Sequence, residues 1–87
     1  MFIILFYDMK TKRTNKALKV CRKYLTWIQN SVFEGEITEG DYKKLKYELN
    51  HKMDKEEDSI IIYTLNNTKY SKREVIGIEK NKFENII

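Results

Sequence analysis

Two runs, FIILFY (residues 2–7) and IIIY (60–63), are apolar almost without a break, and they constrain what an 87-residue chain can become. A strand with one wet face alternates apolar and polar side chains, whereas a strand covered on both faces does not. Neither run alternates, so each reads as a short strand with something packed on both sides. The first run closes on Asp8, followed at once by Lys10, Lys12 and Arg13. An acid in that place either caps a turn or serves a site at the strand end.

Between the two strands the period changes. From Thr11 to about Leu25 the spacing predicts a helix: at roughly 100° per residue, Ala17, Leu18, Cys21, Tyr24 and Leu25 share one face. Lys12, Lys16, Lys19 and Lys23 line the opposite face. TWIQNSVFEGEIT follows as extended chain, two strands or one bent strand, with Gly35 as the expected bulge or turn and the break unplaced. Thr38 reads as a helix N-cap with Asp41 three residues on, and Tyr42, Leu45, Leu49 and Met53 continue at helical spacing. After the strand DSIIIYTL (58–65), a polar loop from Asn66 to Arg73 and a short last strand, Val75 to Ile78, are expected. Residues 79–87 read as a tail on a single domain, 1–78.

The order β-α-β-β-α-β plus one strand predicts an α+β fold: a ferredoxin-like antiparallel sheet with both helices on one face. Two helices cover only that face. The apolar strands therefore imply a cover for the other, and a second copy of the chain is the simplest one, since two-fold dimers are the commonest closed assembly.

Charge narrows the partner. Lys10, Lys12, Arg13, Lys16, Lys19, Arg22 and Lys23 fall in one acid-free stretch, while 54–58 (DKEED) is acidic. A focused basic stripe suits a phosphate backbone. The 34% charged and 41% hydrophobic fractions exclude a disordered chain. One cysteine, Cys21, excludes an internal disulfide and fits a reducing compartment; it lies on the apolar helix face as core filler. The apolar start has no basic flank before it or small-residue cleavage site and is too short to cross a bilayer. A cytoplasmic protein without a membrane span is expected.

For chemistry the choices are few. His51 has no Cys, Ser or acid partner in view, no zinc-ligand cluster exists, and three isolated glycines make no phosphate loop. Asp8 beside a two-fold axis would meet its own copy, and two carboxylates can share a hard divalent cation that offsets phosphate charge and activates water. Ser31 offers a hydroxyl to a phosphate or metal-bound water, and Phe33 a ring that stacks or packs.

The first strand ending in YD, the bases entering the first helix, QNSVFEGEIT, the acidic turn DKEEDS and IIIYTL together resemble the CRISPR-associated "Cas-two" family, over Phe2 to about Ile78. The resemblance implies a ferredoxin-like homodimer that bridges the larger integrase subunit on duplex DNA during spacer acquisition. Some members are metal-dependent endonucleases on single-stranded RNA or duplex DNA. It implies Asp8 as the catalytic metal-binding acid, holding Mg²⁺ from both protomers, with Tyr7 its neighbour. Arg13, Ser31 and Phe33 match the family's motif positions at the nucleic acid, where Lys10, Lys12 and Lys16 would join them. One departure stands out: Trp27 occupies a position that is often basic. The readings are therefore a metal-dependent nuclease, a catalytically idle DNA-bridging scaffold, or an RNA-binding module with aromatics exposed on its sheet.

Overall fold

The computed structural model describes residues 1–66 and 69–79. Its elements run β1 (Phe2–Asp8), α1 (Thr11–Tyr24), β2 (Thr26–Gln29), β3 (Val32–Glu36), α2 (Glu39–Lys52), β4 (Ser59–Asn66) and β5 (Lys69–Gly77). The strands form one sheet in the order β2-β3-β1-β4-β5, antiparallel throughout. This is the expected ferredoxin-like arrangement with an added C-terminal strand. Among the described residues no helix is long and apolar enough to cross a membrane.

The helices supply the core with most of the residues their spacing marks and with Val20, while Leu18 and Tyr24 of the marked face are half-buried. Ala17, Val20 and Cys21 of α1 and Tyr42, Leu45 and Leu49 of α2 are buried in one cluster with Ile3, Leu5, Phe33, Ile60 and Ile62 of the sheet. Burying each large aliphatic side chain contributes about 1.5–3 kcal/mol. At the start of α2, Thr38 Oγ1 accepts the Asp41 N–H at 3.1 Å, satisfying one of the donors left open at a helix start.

In β1 burial alternates although sequence polarity does not. Ile3, Leu5 and Tyr7 are buried on the helix side, Ile4 is half-buried, and Phe6 and Asp8 are exposed. Register carries the second face across the sheet. Phe6 pairs with Val32 and Ile61, and Ile4 with Tyr63. Phe6 meets the Tyr63 ring edge-on at 5.9 Å. The face away from the helices is therefore apolar, and Phe6 is 38% exposed upon it.

Two expectations need correction. The break in 26–37 falls at Asn30–Ser31, where Asn30 takes a left-handed φ of 47°, a conformation asparagine tolerates. Gly35 lies inside β3 opposite Ile3. The expected loop 66–73 is mostly strand: β5 starts at Lys69 and pairs along the whole of β4, with one irregularity at Thr64/Leu65. Its charged residues disguise it, because an edge strand tolerates charge that a central strand does not. Of the expected tail, Glu79 is described and bonds Arg73 at 3.1 Å; 80–87 lies outside the described residues.

Candidate metal and nucleic-acid site at the end of strand β1

Asp8 ends β1 on the face without helices, exposed and in register with Ser59 of β4. Around it Phe6, Tyr7, Ser31, Ser59 and Ile61 line an open cleft of about 290 Å³. Ser31, half-buried at the β2–β3 turn, is held there by its carbonyl, which accepts the Tyr7 N–H at 3.1 Å. Thus three of the sequence-predicted residues, Tyr7, Asp8 and Ser31, border one cleft. Asp8 and Ser31 offer oxygen, the donor type that suits Mg²⁺ and Ca²⁺ rather than softer metals. Among the described residues no three His, Cys, Asp or Glu side chains gather to hold an ion. The described residues bring a single carboxylate, Asp8, to the cleft, so they fit such an ion only if a second copy adds its own.

Tyr7 and Phe33 point the other way. Phe33 is fully buried and Tyr7 nearly so, their rings stacked 6.2 Å apart and 24° from parallel. Burial pushes the Tyr7 phenol above its ordinary value, and the nearby Cys21 adds to this. Neither ring can stack on a base without leaving the core. Packed in this way, the two rings form the wall behind the strand that ends in Asp8.

Arg13 is also committed elsewhere. Its Nε donates to Asp58 Oδ2 at 2.5 Å and its Nη2 to Asp58 Oδ1 at 3.0 Å and Glu57 Oε1 at 2.7 Å. Only 14% of its side chain is exposed. These carboxylates raise its already high pKa further. A phosphate would have to displace acids already seated on the guanidinium, so Arg13 is a structural tie between α1 and the α2–β4 loop. Lys10, Lys12 and Lys16 are exposed as expected. Lys16 faces a broad concavity of about 600 Å³ with His51, Lys52 and Lys55, separate from the Asp8 cleft.

The residue that sequence reasoning missed is Asp58. It is fully buried and, besides Arg13, accepts the N–H of Lys10 at 3.0 Å and of Asp54 at 2.8 Å. Burial alone would raise its pKa; the Arg13 and backbone bonds outweigh that and hold it down at about 2. The available signal was its place: an acid at the edge of an apolar run, here just before Ile60–Ile62 as Asp8 is just after Phe2–Tyr7.

The family model described as CRISPR associated protein Cas2 matches residues 1–73. The chain belongs to the Cas2 family. A relative from Dictyoglomus turgidum, named CRISPR-associated endoribonuclease Cas2, is 53% identical over 87 residues, the full length of both chains. One of the same name from Thermotoga maritima is 45% identical over 94% of each chain. Among solved structures, a Cas2 crystal structure covers 100% of this chain and 98% of its own, at 36% identity and TM-score 0.74. Streptococcus pyogenes Cas2 at pH 6.5 covers 76% of this chain and 87% of its own, at 33% identity and TM-score 0.71. The β-α-β-β-α-β-β order is thus that of a Cas2 protein.

Proposed function

We propose that this Cas2 chain is a homodimeric, Mg²⁺-dependent endonuclease of CRISPR spacer acquisition, working in the cytoplasm on single-stranded RNA or duplex DNA alongside the larger integrase subunit. The carrying observation is the placement of Asp8: exposed beside Ser31, at the rim of an apolar sheet face on which Phe6 is 38% exposed. A second copy on that face would remove Phe6, Ile4, Ile61 and Val32 from water, the usual driving force for association. If the two-fold axis passes near the strand end, it brings the second Asp8. The name endoribonuclease on relatives up to 53% identical supports the RNA substrate.

Each residue's part follows from its chemistry. The two Asp8 carboxylates would hold Mg²⁺, which supplies charge neutralisation at the phosphate and a more acidic water. Ser31 offers a hydroxyl to a phosphate oxygen in the same cleft. Lys10, Lys12 and Lys16 hold the backbone by charge alone, so binding is salt-dependent and blind to sequence. Tyr7 and Phe33 keep the strand rigid from behind.

A bridging scaffold needs the same dimer and the same lysines but no Asp8 chemistry. It is favoured by the thin catalytic set: among the described residues one carboxylate in the cleft, with Arg13 spent on Asp58 and Glu57. The sheet-face RNA reader is disfavoured, because Phe6 and Tyr63 sit among Ile4, Val32 and Ile61, a surround suited to protein rather than to bases. The deciding experiment compares wild type and Asp8→Asn on both substrates, with Mg²⁺ and with EDTA, alongside mass by light scattering. Metal-dependent cleavage by a dimer, lost in the variant, supports the nuclease. Absent or equal cleavage leaves the scaffold, and a monomer at micromolar concentration removes both.

A further inference from the structure

We propose that Asp58 is the positioning residue for Asp8, setting where that carboxylate stands by fixing the connector between β1 and α1. The proposal rests on reading Asp8 as a metal ligand. A fully buried carboxylate is costly unless its lone pairs are met, and in Asp58 both oxygens are doubly occupied. Oδ1 takes Lys10 N–H and Arg13 Nη2–H, each at 3.0 Å. Oδ2 takes Arg13 Nε–H at 2.5 Å and Asp54 N–H at 2.8 Å.

Three of those four donors belong to the segment immediately after Asp8. The Lys10 N–H is two residues from it, and Arg13 lies in the first turn of α1. The loop is closed by Arg13 N–H donating to Lys10 C=O at 2.9 Å. Helix α1 has no side-chain cap of its own and no acid in its first turn. Asp58 supplies from across the fold the acceptor and negative charge that a helix start favours. On the strand side, Ser59 is the register partner of Asp8, and the Asp58 carbonyl takes the Ile78 N–H at 2.9 Å. Asp8 therefore stands between two segments, β4 and the start of α1, that one buried side chain holds together.

Buried ion pairs are a weak means of stabilisation compared with apolar packing of equal volume. A saturated one beside a site serves geometry: the groups behind a metal ligand set its orientation, and removing them typically costs about 10–100-fold in metal affinity.

The test uses the full chain and Mg²⁺ binding by calorimetry at a temperature where every variant is folded, with amide hydrogen exchange on the same samples. Asp58→Asn should weaken Mg²⁺ binding about 10–100-fold and speed exchange at Lys10. Arg13→Lys keeps the charge but loses the planar fork; it should weaken binding by a smaller factor and serves where Asp58→Asn does not fold. Glu74→Gln loses a carboxylate that ties Tyr42 and Lys46 of α2 to β5; it should lower stability and leave the Mg²⁺ midpoint unchanged. Unchanged midpoints in Asp58→Asn and Arg13→Lys, with wild type binding, would overturn the positioning role alone. A midpoint that moved as far in Glu74→Gln would overturn it too, by showing a general effect of stability. No Mg²⁺ binding by wild type would overturn the reading of Asp8 and this proposal with it.

Discussion

Asp58→Asn should be among the most damaging single-atom changes to this fold, and its effect should fade in acid. An amide has one acceptor oxygen where the carboxylate has two. Whichever way it is turned, two of the four donors now fixed on Asp58 would face an NH₂ group. Removing one partner of a buried ion pair costs about 3–5 kcal/mol, and that is the loss expected at pH 7. The pH dependence follows from the depressed carboxyl. Its folded pKa of about 2 lies below the ordinary 3.8, so the folded state binds the proton more weakly than the unfolded chain. The linked stability is then complete above pH 4 and lost as pH falls through 2. At about 1.4 kcal/mol per pKa unit, it amounts to about 2.5 kcal/mol. Other carboxylates titrate in that window in both proteins, so the informative quantity is the wild-type minus variant difference. Urea unfolding at fixed protein concentration from pH 7 to pH 2 measures it. The difference should be nearly flat down to pH 4, then shrink by about 2 kcal/mol by pH 2, where the folded carboxyl is half protonated. A loss under about 1 kcal/mol at pH 7, the scale of an exposed pair, or a difference that does not shrink, would refute the buried-anchor reasoning.

Gly77→Ala should destabilise by about 2–4 kcal/mol, from left-handed strain and overpacking together. Gly77 has φ 88°, and an added Cβ would lie 2.2 Å from the Asp58 carbonyl oxygen; a Tm within 2 °C of wild type would contradict this. Phe6→Lys places a charge on the face proposed to pair and should give a folded monomer by circular dichroism and light scattering; a persisting dimer would locate the interface elsewhere. Replacing Lys12 and Lys16 by alanine should reduce the salt slope of duplex binding by about 2, at 0.9 per phosphate contact, while Arg13→Lys should leave it unchanged. The Cys21 thiol, buried with its pKa pushed up to about 12 by desolvation, should stay unreactive to an aromatic disulfide at pH 8 until urea unfolds the chain; prompt labelling of the native protein would contradict its burial.

Most of the fold was legible because apolar period is a direct signal of burial. Ala17 and Cys21, like Tyr42, Leu45, Leu49 and Met53, are buried where their spacing placed them. The last strand was legible only at its end, from Val75; its start at Lys69 was not, because a charged edge position removes the apolar pattern on which the reading depends. Within the site, Asp8, Ser31 and the exposed lysines were legible as residue types, but the direction of Tyr7 and Phe33 was not. Tyr7 lies on the strand parity of Ile3 and Leu5, which their burial reveals and their letters do not. Arg13 failed for a different reason: a cation looks the same in sequence whether it awaits a phosphate or already holds a carboxylate 45 residues away.

The same parity explains why two acids next to two apolar strands have opposite roles. Asp8 shares the face of Phe6, which carries no helices, so its carboxylate stands at the surface at the rim of that face. Asp58 precedes β4 in step with Ile60 and Ile62, both fully buried, so its side chain is directed beneath the helix layer. There a bare charge is intolerable, and the start of α1, lacking its own cap, supplies donors and positive dipole together. Each acid thus fits the face that strand alternation assigns it. Because side chains alternate with period two, a one-residue slip of β4 against β1 would reverse its faces. It would bring Ser59 under the helices and Asp58 out to the open face. The Asp58 bonds to Lys10 and Arg13 form in one register only. They therefore hold the pairing that sets Asp8 opposite Ser59, and fixing this register and placing Asp8 are one task.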